Sequence, residues 1–459
     1  MMYDFELNRE LSSLLLETEV FMEQPEELSI SAATELYDIL DEAAQIAVKK
    51  INVIDPNLRV SICDRQDKLL ERIVDELPSF SHIGDPLGIY TPALIDKRWT
   101  NVQLMKDCGL TVYTLAMELN ATPVMFFGTK PSDYPYLSDL PGMKIIYDES
   151  EPGTVEVYHD HLKASFSEMD VVVLYGIYNV SPEYLNAYRA LRPYGKVYCA
   201  LDMNSYWMNQ LPWGAAELSS FAGQCDVTAT SCRQMRDALN RRADVSFPCR
   251  WIANGFYNPT DVQVIADPQY KENIILTVGR IGTQQKNNEE LLTAFARVSN
   301  ALYGWTLRLV GPIEPDFHEY IDSYFSQYPN LKDRVILTGP INNKQELYNE
   351  FAKAKIFALT SLLEGFPNVY AEALFHGCMF ITSDIDAAED ITNYNQLGMI
   401  YKSTDINALS TALVEMCLSA DKRAMQTHIP KALEYANKYY DWKRNAKKLA
   451  YMLFRQPGS

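Results

Sequence analysis

The chain has 459 residues, 47% of them hydrophobic and 22% charged, with 41 basic against 60 acidic side chains and a formal net charge of −19. That length exceeds what one hydrophobic core usually supports, so two or more domains are expected, with the composition of a folded, soluble protein. The acidic balance speaks against a nucleic-acid partner, which needs a concentrated basic face, and against broad adhesion to an anionic membrane.

No run of about 18 apolar residues appears, so no membrane-spanning helix is expected. The N-terminus, MMYDFELNRELSSLLLETEV, is acidic and lacks the basic-then-apolar layout of a secretory signal. The eight cysteines (Cys63, Cys108, Cys199, Cys225, Cys232, Cys249, Cys378 and Cys417) form no Cys-x-x-Cys pair. Reduced thiols in a cytosol are expected, not a zinc site or a disulfide framework.

In chain order, residues 1 to about 85 read as helical. SISAATELYDILDEAAQIAVKKIN opens on a serine cap and repeats apolar residues at Leu36, Ile39, Leu40, Ala43, Ile46 and Ala47. DRQDKLLERIVDEL continues the helical period through Leu69, Leu70, Ile73, Val74 and Leu77. The Pro and Gly of PSFSHIGDPLGIYTP mark a boundary. Beyond it NVQLMK reads as a short strand, DCGLTVYTLAMELN as a turn into a helix and TPVMFFG as a strand. MDVVVLYG, GKVYCALDMN and CDVTATS are further strands, interleaved with the helices SPEYLNAYRALRP and CRQMRDALNRR.

After CRWIANGFYNP the alternation restarts. The strands NIILTVGR, WTLRLVG, RVILTGP, KIFALTS and MFITSD are separated by helices such as KNNEELLTAFARVSNAL and NKQELYNEFAKA. Strands this apolar, alternating with helices, indicate parallel sheets covered on both faces. Two doubly wound α/β units fit the chain better than one large sheet, and ligands of such sheets bind beyond the carboxyl ends of the strands.

Two strand ends carry chemistry. TVGRIGTQQKNNEELL runs from a strand through Arg280 and Gly282 to Lys286 and a helix. Two cations beside helix N–H groups suit a diphosphate; the plainer alternative is a pair of surface cations on a connecting loop. SLLEGFPNVYAEALFHG places Glu364 on a loop, with Gly365 and Pro367 before a helix that carries Glu372 about one turn in. Gly365 permits close backbone approach to a ligand, and Pro367 suits the first helical position. Glu372 could accept two hydrogen bonds from a vicinal diol such as ribose. Alternatively, it only complements the helix dipole and Glu364 is a solvated loop charge.

Together these segments resemble family 4 of the GT-B retaining glycosyltransferases: strand-Gly-Arg with Lys286 six residues on, then Glu-Gly-Phe-Pro and a second glutamate after seven residues. WIANGFYNP is similar to the family's Asn-Gly linker, and KALEYANKYYDWKRNAKKLAYMLF to its C-terminal aromatic-Trp helix. CGLTVYTLAMEL is a looser match to its glycine-containing first loop, at Gly109. The likeness is specific in the second half and looser in the first.

The resemblance implies an α/β GT-B fold of two doubly wound, Rossmann-like domains with a cleft between them. Residues 1–95 would be a helical extension, 96–253 the acceptor domain, 254–428 the nucleotide-sugar domain and 429–459 a helix crossing back. It further implies that Arg280 and Lys286 hold the donor's pyrophosphate and stabilise charge on the leaving nucleoside diphosphate. Glu372 would bind the ribose; Glu364 with the backbone of Gly365, Phe366, Pro367 and Asn368 would hold the donor sugar and distal phosphate. The TGPINN loop would cover the base at Ile341, and Gly109 would join the donor-binding set. No cofactor and no metal are expected, since the cations and helix dipole replace one. The implied partners are a nucleotide sugar, UDP-linked by preference, and a hydroxyl acceptor on a glycan, lipid-linked carrier or protein. The place is cytoplasmic, with peripheral attachment at a membrane compatible.

The first half departs from the family. Where members often carry a histidine at the end of the strand GKVYCALDMN, this chain has Asp202, with Asn204 two residues on. Asp202 is therefore the candidate contact to sugar or acceptor. His159 and His161 in VYHDH are alternatives more simply read as surface or loop residues. The N-terminal helices read equally as a packed extension or as a docking surface for a protein partner or a second copy. The competing function is a non-catalytic GT-B subunit that binds glycan or a partner enzyme, which would be expected to have lost a cation or a glutamate. An epimerase or phosphorylase is a third class, and no pyridoxal-phosphate lysine site is identifiable for the latter.

Overall fold

The computed structural model describes residues 4–23, 25–50, 53–77, 86–88, 103–127, 135–147, 162–176, 181–210, 214–259 and 262–455. The chain separates into two units, Met1–Ala253 with Trp442–Ser459, and Asn254–Asp441.

The first unit begins with α1 (Phe5–Glu23), α2 (Ile30–Lys49) and α3 (Pro56–Glu76). Ser29 caps α2, its hydroxyl accepting from the Ala32 amide at 3.2 Å. α3 starts earlier than its apolar run suggests, because Asp55 caps it and Pro56 takes the first helical position. Ala33, Tyr37, Leu40 and Ala47 of α2 pack against Ile62, Leu69 and Ile73 of α3 and Leu11 and Leu15 of α1. Arg59 of α3 donates to the Arg242 and Val245 carbonyls at 3.0 and 2.9 Å.

The strands form two parallel runs. β1 (Pro86–Leu87), β2 (Thr122–Phe127) and β3 (Lys144–Tyr147) make one. The other is β4 (Val171–Tyr175), β5 (Lys196–Leu201), β6 (Val227–Thr230) and β7 (Arg250–Trp251). Interspersed are α4 (Asp107–Glu118), α5 (Ser181–Leu191), α6 (Ser205–Met208), α7 (Ala215–Ala222) and α8 (Arg233–Arg241). The strand expected at NVQLMK is absent in its described part. Gln103 and Leu104 are helical, and the Lys106 amide donates to the Gln103 carbonyl at 3.2 Å in a turn leading into α4. Gly109 permits that turn, since a β-carbon there would lie 2.3 Å from the Leu104 carbonyl oxygen.

The second unit is built on one six-stranded parallel sheet of order β10-β9-β8-β11-β12-β13. Its strands are β8 (Glu272–Val278), β9 (Thr306–Val310), β10 (Val335–Gly339), β11 (Ala354–Leu359), β12 (Met379–Ser383) and β13 (Gly398–Tyr401). Its helices are α9 (Asn288–Val298), α10 (Phe317–Gln327), α11 (Lys344–Lys353), α12 (Asn368–Phe375), α13 (Ala388–Thr392), α14 (Ile406–Ser419) and α15 (Lys422–Tyr439). Ile275, Leu307, Ile356 and Ile381 from the central strands pack against Leu291, Phe295, Leu409 and Leu413 from the helices. The chain then returns to the first unit as α16 (Trp442–Phe454), where Tyr451 meets Tyr37 edge-on at 5.6 Å between ring centroids. All eight cysteines are free thiols. Among the described residues no helix is long and apolar enough to cross a membrane.

Candidate functional site

The strand order of the second sheet reverses between β8 and β11, and such a switch point is where open α/β sheets hold ligands. Ile275 pairs with Ile356 and Leu276 with Phe357. The loop after β8, with Arg280 and Lys286, therefore lies beside the loop after β11, with Glu364.

Lys286 and Glu364 form an ion pair, their side chains only 14% and 12% exposed. The Ser361 hydroxyl donates to the same carboxylate oxygen at 2.9 Å. Gln285 ties the loops together: its carbonyl accepts from the Leu362 amide and its side-chain amide donates to the Leu363 carbonyl, both at 2.8 Å. Arg280, exposed, donates to the Gln285 side chain at 3.2 Å. The ends of β8 and β9 approach so closely that a β-carbon on Gly311 (φ +142°) would lie 1.8 Å from the Gly279 carbonyl oxygen.

Pro367 caps α12 instead of occupying its first turn as expected. Its φ of −66° fits either place, but its ψ of 124° is extended, and Asn368 is the first helical residue. Phe366 turns inward, its ring stacking on Tyr440 at 5.1 Å, so only its backbone is open to a ligand role. Its carbonyl already accepts from Asn254 at 3.2 Å. Gly365 lies half-buried between Glu364 and Phe366. The Asn368 side-chain oxygen is buried with no hydrogen-bond partner among the described residues. Ile341, half-buried, lies on the loop after β10, which leads to the Asn343 cap and to Lys344 at the start of α11. Lys344 Nζ lies 3.2 Å from Glu372 Oε1. Lys344 and Gln285 are thus parts of the cluster that sequence reasoning overlooked.

Beneath Glu372, His376 is enclosed by Phe256, Tyr348 and Phe351. Its Nδ1 lies 2.7 Å from the Glu372 carbonyl oxygen, which only accepts, so the neutral ring carries its proton on Nδ1. Burial is the main cause that lowers its pKa to about 4, and the same holds for His428, whose Nε2 meets the Cys378 carbonyl at 3.0 Å. Between the unfolded value of 6.5 and about 4, the native protein binds fewer protons than the unfolded chain. Stability therefore falls as pH is lowered through that window, by up to about 3 kcal/mol for each histidine. Urea unfolding of the second unit from pH 7 to 4 should show this slope, and His376→Asn should flatten it; an unchanged slope in that variant would count against the buried neutral ring.

In the first unit, Asp202 follows β5 and is exposed. It stands among Asp107, the first residue of α4, and Tyr175, which ends β4. The Tyr175 hydroxyl donates to Asp107, and burial, then Asp107 and Asp202, push its pKa well up. Neither Asp107 nor Tyr175 stands out in the sequence, although each flanks a strand end or helix start. Asn204 is a helix cap, its side-chain oxygen accepting from the Trp207 amide at 3.0 Å. For Gly109 the requirement visible here is the steric one at the α4 turn. His159 and His161 lie outside the described residues.

Residues 272–418, within the second unit, match the family model of Glycosyl transferases group 1. Over 172 residues the chain is 30% identical to the N-acetylgalactosamine-N,N'-diacetylbacillosaminyl-diphospho-undecaprenol 4-alpha-N-acetylgalactosaminyltransferase of Campylobacter jejuni, covering 36% of this chain and 44% of that one. It is also 30% identical over 196 residues to the lipopolysaccharide 1,6-galactosyltransferase of Escherichia coli, covering 41% and 53%. The chain thus spans about half the length of the curated relatives it matches. Among solved structures, Anabaena HepE in complex with UDP superposes with a TM-score of 0.56 over 80% of this chain and 98% of that one, at 15% identity. The fold is GT-B, with parallel sheets in two Rossmann-like domains and an N-terminal helical region.

Proposed function

We propose that the chain is a retaining, metal-independent hexosyltransferase that moves a sugar from a nucleoside-diphosphate donor, UDP by preference, to a hydroxyl of a lipid-linked glycan in surface polysaccharide or glycoconjugate assembly. The observation that carries this reading is the switch-point cluster, where sheet topology brings Arg280, Lys286 and Glu364 together beside α12 and its Glu372. The names of the two curated relatives support a lipid-linked or lipopolysaccharide acceptor, and the UDP bound to the structural neighbour supports the base. The protein would work in the cytoplasm as a peripheral partner of membrane-borne acceptors.

In this reading Arg280 and Lys286 take the diphosphate, Glu372 the ribose hydroxyls and Ile341 the base through its backbone. Glu364 and the Gly365–Asn368 backbone take the sugar and distal phosphate, where the Asn368 side-chain oxygen is an unused acceptor. The two cations and the N-terminus of α12 stand in for a metal. As the sugar–phosphate bond breaks, the departing oxygen takes the acceptor hydroxyl's proton on the same face of the sugar, and the acceptor oxygen closes on the anomeric carbon. Asp202, with Asp107 and Tyr175, would contact sugar or acceptor from the first unit.

The test is thermal stability against UDP, GDP, ADP and their sugars, with Glu372→Ala as control. A ligand at 100 times its dissociation constant should stabilise by about 2.7 kcal/mol. A shift with one nucleotide that Glu372→Ala abolishes is expected. No shift with any of them would favour the non-catalytic, glycan- or enzyme-binding subunit instead.

A further inference from the structure

We propose that Lys344 is a positioning residue that makes this site selective for ribonucleotides, by fixing the Glu372 carboxylate in the orientation that receives a ribose diol. The inference rests on the ribose reading of Glu372 and adds to it a residue that the reading does not contain.

Glu372 is held at both ends by groups that pack on one another. His376 bonds its carbonyl oxygen at 2.7 Å, and Lys344 Nζ lies 3.2 Å from its Oε1. The same ammonium lies 5.4 Å from the centroid of the Tyr348 ring, one turn along α11, and Tyr348 meets the His376 ring at 5.0 Å. The contacts Glu372–His376–Tyr348–Lys344 therefore close a circuit, in which His376 holds the backbone of Glu372 and Lys344 holds its carboxylate. Oε1 takes the lysine, while Oε2 has no hydrogen-bond partner among the described residues. That leaves Oε2 and a second lone pair on Oε1 for two hydroxyl donors.

Helix stability does not account for a lysine here. Lys344 is the first residue of α11, where a cation opposes the helix dipole and an acid would be favoured. The Asn343 cap already satisfies the Glu346 amide at 3.0 Å without it. The gain lies in a carboxylate that loses little freedom on binding, because its geometry is already fixed.

The experiment measures calorimetric affinity for UDP and 2′-deoxy-UDP in the wild type, Lys344→Gln, Lys344→Arg, Glu372→Ala and the Lys344→Gln/Glu372→Ala double variant. The wild type should prefer UDP by about tenfold or more, since a site built for a hydroxyl rejects the analogue lacking it. Lys344→Gln should lose most of that preference by weakening UDP while leaving 2′-deoxy-UDP nearly unchanged, and Lys344→Arg should restore it. In the Glu372→Ala background, Lys344→Gln should add nothing further. With a nucleotide-sugar donor, Lys344→Gln should raise KM and leave kcat nearly intact. Equal weakening of both nucleotides would overturn the proposal, because Lys344 would then be acting as a general diphosphate cation. A Glu372→Ala variant with unchanged UDP affinity and selectivity would overturn the ribose reading itself. Unchanged affinities in Lys344→Gln alone would overturn only the lysine's role.

Discussion

Replacing Lys286 with alanine is expected to lower kcat for sugar transfer by about two to three orders of magnitude, the usual loss when one preorganised donor to a developing oxyanion is removed. Lys286 precedes α9 on a loop held by Gln285, with its ammonium on Glu364. That glutamate balances its charge in the structure. As the sugar–phosphate bond breaks, charge grows on the departing oxygen, and the lysine's attraction for it grows in step. An interaction stronger in the transition state than in the bound donor shows chiefly in kcat. Truncation also leaves the carboxylate of Glu364 with Ser361 alone among the described residues, so repulsion of the diphosphate should raise KM as well. Arg280→Ala should act in the same direction but more weakly, since its guanidinium is exposed to solvent and screening. Steady-state kinetics with the nucleotide sugar found by the stability panel decide the matter. A kcat within about fivefold of wild type would remove Lys286 from the chemistry.

The neighbours of Lys286 separate what a chain displays from what only a fold reveals. Arg280, Lys286 and Glu364 are legible because each stands where glycine, proline and polar residues interrupt an apolar run, and Glu372 because it follows Glu364 by a short spacing into the next helix. Their partners are not. Lys344 is 28 positions from Glu372, and Gln285 is 78 from Leu363; sheet topology and helix packing bring them together. Phe366 shows a different limit. An aromatic residue in a turn carries no sign of which way its ring points, and here it faces Tyr440. In the first unit the acidic and phenolic groups around Asp202 come from separate elements, so no local pattern announces them.

The strands β4, β5, β8 and β11 are apolar runs long enough to read, and their alternation with helices implies parallel sheets. Lys144–Tyr147, an edge strand of four residues, is too short to show a period. Gln103–Leu104 lies in a stretch whose spacing suits a strand or a helix start equally, and the glycine at 109 that settles it acts through a backbone contact.

The largest stability effect is expected at Glu71, where Glu71→Ala should cost about 3–5 kcal/mol, the range for breaking a buried pair from one side. Glu71 on α3 accepts from Arg444 at 2.9 Å and pairs with Lys448, both on α16. Lys448 is 3% exposed and lies 5.5 Å from the Trp251 ring centroid. Burial lowers the lysine's pKa, and Glu71 is the main charge opposing that shift. Without the carboxylate the lysine loses the main charge that offsets its desolvation, and its charged form becomes costly to keep buried. Arg444 retains Asp75 at 2.5 Å, so most of the cost falls on Lys448. The paired replacement Glu71→Leu/Lys448→Met should then be far less destabilising than Glu71→Ala, because removing both charges removes the desolvation they cause. Urea unfolding of both variants tests this, and a cost below about 1 kcal/mol for Glu71→Ala would mean the pair is solvated. Such pairs recur along the N-terminal helices. Arg236 of α8 binds Asp64 and Asp67 of α3, Arg250 of β7 binds Asp41 of α2, and Arg455 after α16 binds Asp38 and Asp41. Three charged seams join α2 and α3 to the strands, helices and chain end of the first unit, so Glu71→Ala should loosen them together. Hydrogen exchange should report lost protection in α3, α8 and α16 at once; loss confined to α3 would show a helix merely resting on the unit.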